Sequence, residues 1–228
     1  MKRQLCLLTL AILFVLGGCA SNEQGLKTES ADLVKDTAPY NPKDVEKDFM
    51  YESQPLRGSA TAPINIVEFG DYKCPWCKKW SEEVLNPVLA KYMDDGQVNF
   101  RYINMSFVGP DSQVAAEIGE AIKSQSDELF WQYHDLVLAN QGDHNEEWAT
   151  EAFLYGLIES KIPDADVSKI KEEVESGRAK EEVEKDISIA KTHGVEHSPT
   201  IYVNGKLFDS RYSSDELSEY FDKILSAK

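Results

Sequence analysis

At 228 residues and 25.7 kDa, with 42% hydrophobic residues, the chain can form one large domain or two small ones and bury a core, which excludes disorder over most of its length. Its 40 acidic against 24 basic residues give a formal charge of −16, a field that repels phosphate backbones and argues against nucleic acid as a partner. The four cysteines, Cys6, Cys19, Cys74 and Cys77, are best sorted by the segments that hold them.

Residues 1–18 have the layout of a secretory signal: Lys2 and Arg3, an apolar run from Leu5 to Leu16, then Gly17 and Gly18. The run is too short to span a bilayer. Cys19 follows in the string LGGC, which resembles a bacterial lipobox, and the resemblance implies cleavage before Cys19 and lipidation of its sulfur. Several acyl chains on one residue make a stable membrane anchor. Cys6 leaves with the signal, so Cys74 and Cys77 are the two thiols left to act outside the cytoplasm.

Residues 19–62 read as the lipidated Cys and a polar tether, and residues 63–228 as the folded domain. The stretch around Phe49, Met50 and Tyr51 leaves open a docking contact of the tether on the domain, as a short helix or edge. Ile64–Phe69 is a β-branched and aromatic run between Pro63 and Gly70, predicting a buried strand with an out-of-place Glu68 at its centre. After Cys74-Pro75-Trp76-Cys77, Trp80, Val84, Leu85 and Val88 follow helical spacing, with Pro75 tolerated in the first turn. Val98, Phe100 and Tyr102 alternate with Asn99 and Arg101 as a second strand.

From about residue 108 to 192 the period turns helical, through Val114/Ile118/Ile122, Phe130/Tyr133/Val137, Trp148/Tyr155/Ile158, Val167/Ile170/Val174 and Val183/Ile187/Ala190. The charge-dense stretch near Glu181 and Lys185 carries this core stripe, and that pair has helical spacing. Thr200–Val203, Asn204-Gly205 and Lys206–Phe208 predict a type I′ hairpin, and Ser213 with Glu216 opens a last helix. The order predicts an α/β domain with a helical insertion.

A Cys-x-x-Cys at a helix start aims unpaired N–H groups at the first sulfur and stabilises its thiolate. Cys74 is therefore the candidate nucleophile and Cys77, one turn inside, the resolving thiol. Zinc binding and an inert disulfide use the same motif. Zinc would need two more ligands, and His134, His144, His193 and His197 are scattered. We expect no metal and no cofactor beyond the cysteine pair.

The strings VEFGDYKCPWCKKW, DELFWQYHDLVLANQ and HSPTIYVNG together resemble a DsbA-type thiol:disulfide oxidoreductase over about residues 60–228. The resemblance implies a thioredoxin fold with an inserted helical domain and a cis-proline loop against the active site. Pro199 matches the cis-proline, Ser198 the residue whose backbone pairs with substrate, and Glu68 the family's buried proton-moving acid. Pro75 and Trp76 would border the substrate. A strand-edge Glu68 facing water is the alternative. His197 stands where the family commonly has Gly, either tuning Cys74 or lying on the surface. Lys73, Lys78 and Lys79 are weak candidate aids to the thiolate.

The resulting expectation is a lipid-anchored, monomeric enzyme oxidising reduced exported proteins and reoxidised by a membrane quinone-linked thiol oxidase. A reductase or isomerase is the rival within the class. Outside it stand a metal-binding or redox-sensing lipoprotein and a binding module with an incidental disulfide.

Overall fold

The computed structural model describes residues 42–209 and 213–227; the leader 1–18, Cys19 and the tether to residue 41 lie outside them. In chain order, α1 (Pro42–Asp48), a 3-10 turn (Tyr51–Ser53) and β1 (Leu56–Gly58) precede β2 (Ile64–Gly70). A helical path follows as α2 (Pro75–Trp80), a π turn (Ser81–Leu85) and α3 (Asn86–Tyr92), leading to β3 (Val98–Asn104). Five helices come next: α4 (Pro110–Lys123), α5 (Asp127–Ala139), α6 (Glu151–Lys161), α7 (Val167–Glu175) and α8 (Arg178–Thr192). The chain then forms β4 (Thr200–Val203), β5 (Lys206–Phe208) and α9 (Ser214–Ser226). The five strands lie in the order β1-β3-β2-β4-β5, with β2 parallel to β3 and antiparallel to β4. This is the thioredoxin-type α/β sheet with helices α4–α8 between β3 and β4.

The two-residue strand period divides β2 between two cores. Ile64 and Ile66 join Trp80, Val84, Phe100 and Tyr102 on one face, while Val67 and Phe69 meet Phe49, Tyr51, Ile103 and Ile189 on the other. That second face corrects the tether boundary. Residues 42–62 pack onto the domain because β3 presents Asn99 and Arg101 there, and these polar groups are covered rather than left in water. The Arg101 guanidinium lies 4.1 Å from the Tyr51 ring centroid, and the Asn99 side chain donates to the Ser59 carbonyl at 2.9 Å. Burying Phe49, which also stacks on His193 at 4.3 Å, is worth about 2–3 kcal/mol.

Local chemistry sets most of the ends. Asn204 and Gly205 both adopt positive φ (51° and 73°), as a type I′ hairpin requires, and Ser213 accepts from the Glu216 amide at 3.2 Å to cap α9. Trp148 falls outside α6, because Thr150 caps the helix by accepting from Phe153 N at 3.3 Å and stops it from starting earlier. Lys185 pairs with Glu182 at 2.7 Å, one residue from the expected Glu181.

Candidate active site

β2 delivers the chain to the redox motif through Gly70, where a Cβ would run into the Tyr102 ring. Asp71 then makes an Asx turn, its Oδ1 accepting from Lys73 N at 2.8 Å. Its Oδ2 accepts from Phe107 N and Val108 N at 2.9 Å each, which ties the strand end to the loop after β3. Cys74 caps α2 in extended conformation with Pro75 at the first helical position, and its carbonyl accepts from Cys77 N (3.1 Å) and Lys78 N (3.4 Å).

The two thiols, both free, occupy different surroundings. Cys74 is 5% exposed, and its Sγ lies 3.4 Å from the Ser198 carbonyl, across the cis Ser198–Pro199 peptide. Cys77 is wholly enclosed. Hydrogen bonding from the Cys77 thiol, opposed by burial and assisted by Ser198 and first-turn N–H groups, brings the Cys74 pKa down to about 6. Burial, the hydrogen bond to Cys74 and the nearby Glu68 push the Cys77 pKa far above its ordinary value. Both thiols are buried, Cys77 completely, so Cys74 is a recessed thiol rather than the exposed one that its place at the helix entrance suggests.

Glu68 is in mid-sheet, opposite Tyr102 on β3 and Ile201 on β4, and 1% exposed, so it does not face water. Neither carboxylate oxygen has a well-formed hydrogen bond, while the Cys77 thiol and Trp80 indole lie near enough to favour the charged form. Desolvation outweighs them and, with repulsion from Cys74, raises the Glu68 pKa to about 8. A carboxyl group that is mostly protonated at neutral pH thus backs Cys77.

The structure brings Cys74, Cys77, Glu68, Ser198 and Pro199 together, with Pro75 and Trp76 on the exposed lip; Trp76 is 52% exposed. His197 is exposed and only its carbonyl is engaged locally, accepting from Thr200 Oγ1 at 2.6 Å. Lys73 is a correction: its ammonium is buried against Asp111 at 2.5 Å and also donates to the Glu146 carbonyl at 2.9 Å. Lys78 and Lys79 face Glu82 and Glu83 at 3.9 and 3.7 Å. His134, one of the scattered histidines, is buried among Tyr72, Tyr102 and Trp131, where burial and Arg57 hold its pKa well below the usual range.

Sequence reasoning assigned no role at the site to Asp71, Trp80, Asp111 or Gln141. Asp71 had a local signal, an acid two residues before Lys73 at a strand-to-helix turn. Gln141 closes the DELFWQYHDLVLANQ string, but nothing local pointed to its role, since its side chain reaches the Tyr72 and Cys74 carbonyls (2.8 and 3.0 Å) from 67 or more residues away.

A family model described as thioredoxin matches residues 51–223. The "Probable disulfide bond formation protein D" of Bacillus cereus is 38% identical over 177 residues, covering 78% of this chain and 81% of that protein. The crystal structure of oxidised BdbD from Bacillus subtilis superposes with a TM-score of 0.71 at 32% identity, over 77% of this chain and 94% of that one. DsbA from Chlamydia trachomatis shares the fold with a TM-score of 0.66 at 22% identity, over 76% of this chain and 92% of the other. With a redox pair at the helix entrance, a cis-proline loop against its first sulfur and relatives matching across the domain, the chain belongs to the thioredoxin family as a DsbA-type thiol:disulfide oxidoreductase.

Proposed function

We propose that the protein is an extracytoplasmic thiol:disulfide oxidase, anchored by lipid on Cys19, that passes the Cys74–Cys77 disulfide to reduced exported proteins. The observation that carries this reading is the opposed ionisation of the two thiols, with a pKa of about 6 at Cys74 and one pushed far up at Cys77. A stable Cys74 thiolate favours the reduced enzyme and so makes its disulfide a strong oxidant.

A substrate thiolate attacks Cys74 Sγ, the Cys74–Cys77 bond breaks, and Cys77 leaves with the electron pair. Glu68, protonated near neutral pH, supplies the proton that Cys77 needs in its dry surroundings. Ser198 and Pro199 border the reacting sulfur, and the Ser198 backbone pairs with the substrate chain beside Pro75 and Trp76. The substrate's second thiolate then attacks the substrate sulfur of the mixed disulfide and expels Cys74 as a thiolate. Substrate loses two electrons and the enzyme gains them, and a membrane quinone-linked thiol oxidase removes them in turn. The enzyme acts as a monomer.

Equilibration of the pair against glutathione tests the direction. A potential near that of a strong oxidant, about −120 mV, is expected, whereas one near about −270 mV would make the protein a reductase. For the anchor, Cys19→Ala should release the protein from membranes, and full retention would refute lipidation there.

A further inference from the structure

Every residue from Asp71 to Cys74 is held by groups from the helical insertion or the loop leading into it. Asp71 binds the Phe107 and Val108 amides, Lys73 is paired with Asp111 and bonded to the Glu146 carbonyl, and Asp111 Oδ2 accepts from Ala149 N at 2.9 Å. Two backbone carbonyls of the segment, of Tyr72 and Cys74, accept from one side-chain nitrogen, Gln141 Nε2, at 2.8 and 3.0 Å. The inserted helices therefore serve as the mount for the redox helix as well as a wall beside it.

We propose that Gln141 is a positioning residue for thiol–disulfide exchange: by clamping the Tyr72 and Cys74 carbonyls it fixes the direction of the first-turn N–H groups that receive the Cys74 thiolate. The Cys74 carbonyl is the hinge of that turn, since it also accepts from Cys77 N and Lys78 N. A rotation of this peptide re-aims those amides and moves Sγ relative to the Ser198 carbonyl, 3.4 Å away. The clamp position is itself well defined. Asn140 ends α5 with its amide bonded to the Leu136 and Val137 carbonyls, and a Cβ on the next residue, Gly142, would lie 2.7 Å from the Trp148 ring. Gln141 is neutral and half-buried, so its removal leaves no buried charge, unlike removal of Lys73 or Asp111, which would strand one. Cys74 O keeps its helical partners without Gln141, which separates aim from stability.

This inference rests on Cys74 being the reacting thiolate, and its readout is ionisation rather than turnover, so it can fail while the oxidase reading stands. The pH profile of Cys74 alkylation would be measured in the reduced protein, in Gln141→Met, Gln141→Glu and Asn145→Ala. Met keeps the side-chain length without a donor. Glu replaces the donor by an acceptor facing two carbonyls. Asn145 lies in the same loop and bonds only to Asp143. The midpoint should move upward in both Gln141 variants; a change from about 6 toward 7 lowers the thiolate fraction at pH 6 roughly fivefold. Asn145→Ala should keep the parent profile. A parent-like profile in a folded Gln141→Met or Gln141→Glu protein would overturn the proposal, and so would an equal shift in Asn145→Ala. If Gln141→Met does not fold, Gln141→Glu decides.

Discussion

The mouth and the floor of the site hold the same chemical group and treat it oppositely. At the mouth, the Cys77 thiol, the Ser198 side chain and first-turn N–H groups stand by the Cys74 sulfur, and hydrogen bonding prevails over burial. On the floor, Cys77 and Glu68 have almost no polar company, and desolvation decides. One helical turn separates the two sulfurs. The comparison teaches that burial alone does not set the sign of a pKa shift; the number of donors aimed at the charged form does.

The largest test of this contrast is selective alkylation. At pH 6 Cys74 is about half thiolate, whereas burial holds Cys77 far above its ordinary range and keeps it a thiol. Limiting reagent should label Cys74 at least about a hundredfold faster, read by peptide mass spectrometry. Comparable labelling of the two would erase the distinction.

Next in size is Glu68. Its folded pKa of about 8 lies above the unfolded value, so the unfolded chain gives up a proton from about pH 4.5 while the folded one retains it. Stability therefore falls as pH rises between these limits, by about 3 kcal/mol at pH 7. Glu68→Gln should flatten that slope and raise Tm at pH 7 by about 4–8 °C, after allowing about 1 kcal/mol for the buried amide, while slowing exchange about tenfold or more. An unchanged slope in thermal scans from pH 4 to 8 would place the acid in contact with water.

Cys74 acts with the opposite sign. Its depressed folded pKa adds stability to the reduced form that is complete above the unfolded value of about 8.5 and is lost as pH falls through about 6. Near pH 7 this amounts to about 1 kcal/mol. The Tm of reduced relative to oxidised protein should rise between pH 5 and 8, and Cys74→Ser should remove the trend; calorimetry on both redox forms checks it. The smallest effect belongs to the lip. Lys78→Ala and Lys79→Ala should each move the Cys74 midpoint by less than about 0.3, because both ammonium groups are partly exposed to solvent and face Glu82 and Glu83.

What was legible in the sequence was whatever a short string encodes. The redox pair, its helix, the Asn-Gly hairpin and an acid inside an apolar strand are all local patterns. The DsbA resemblance added Pro199 beside Cys74, which are 125 positions apart. The roles of Gln141 and Asp111 were not legible, because they act on the motif through contacts between distant segments. The tether was read too long for a related reason. Asn99 and Arg101 look like the wet face of β3, and only the packed Tyr51 and Ser59 reveal that the N-terminal segment covers them. Trp148 misled by its size, since an aromatic residue on the helical period just ahead of a threonine cap belongs to the approach rather than the helix.

The short strand β1 has a consequence for how molecules of this protein meet one another. Leu56, Arg57 and Gly58 pair with Arg101, Phe100 and Asn99, and so occupy the outer edge of β3. Without them a seven-residue, β-rich strand would present unpaired amides and carbonyls to any neighbouring chain, the template on which edge-to-edge aggregates grow. A chain shortened to begin at Pro63 keeps the whole redox motif yet loses this cover, and its failure mode would be self-association rather than lost chemistry.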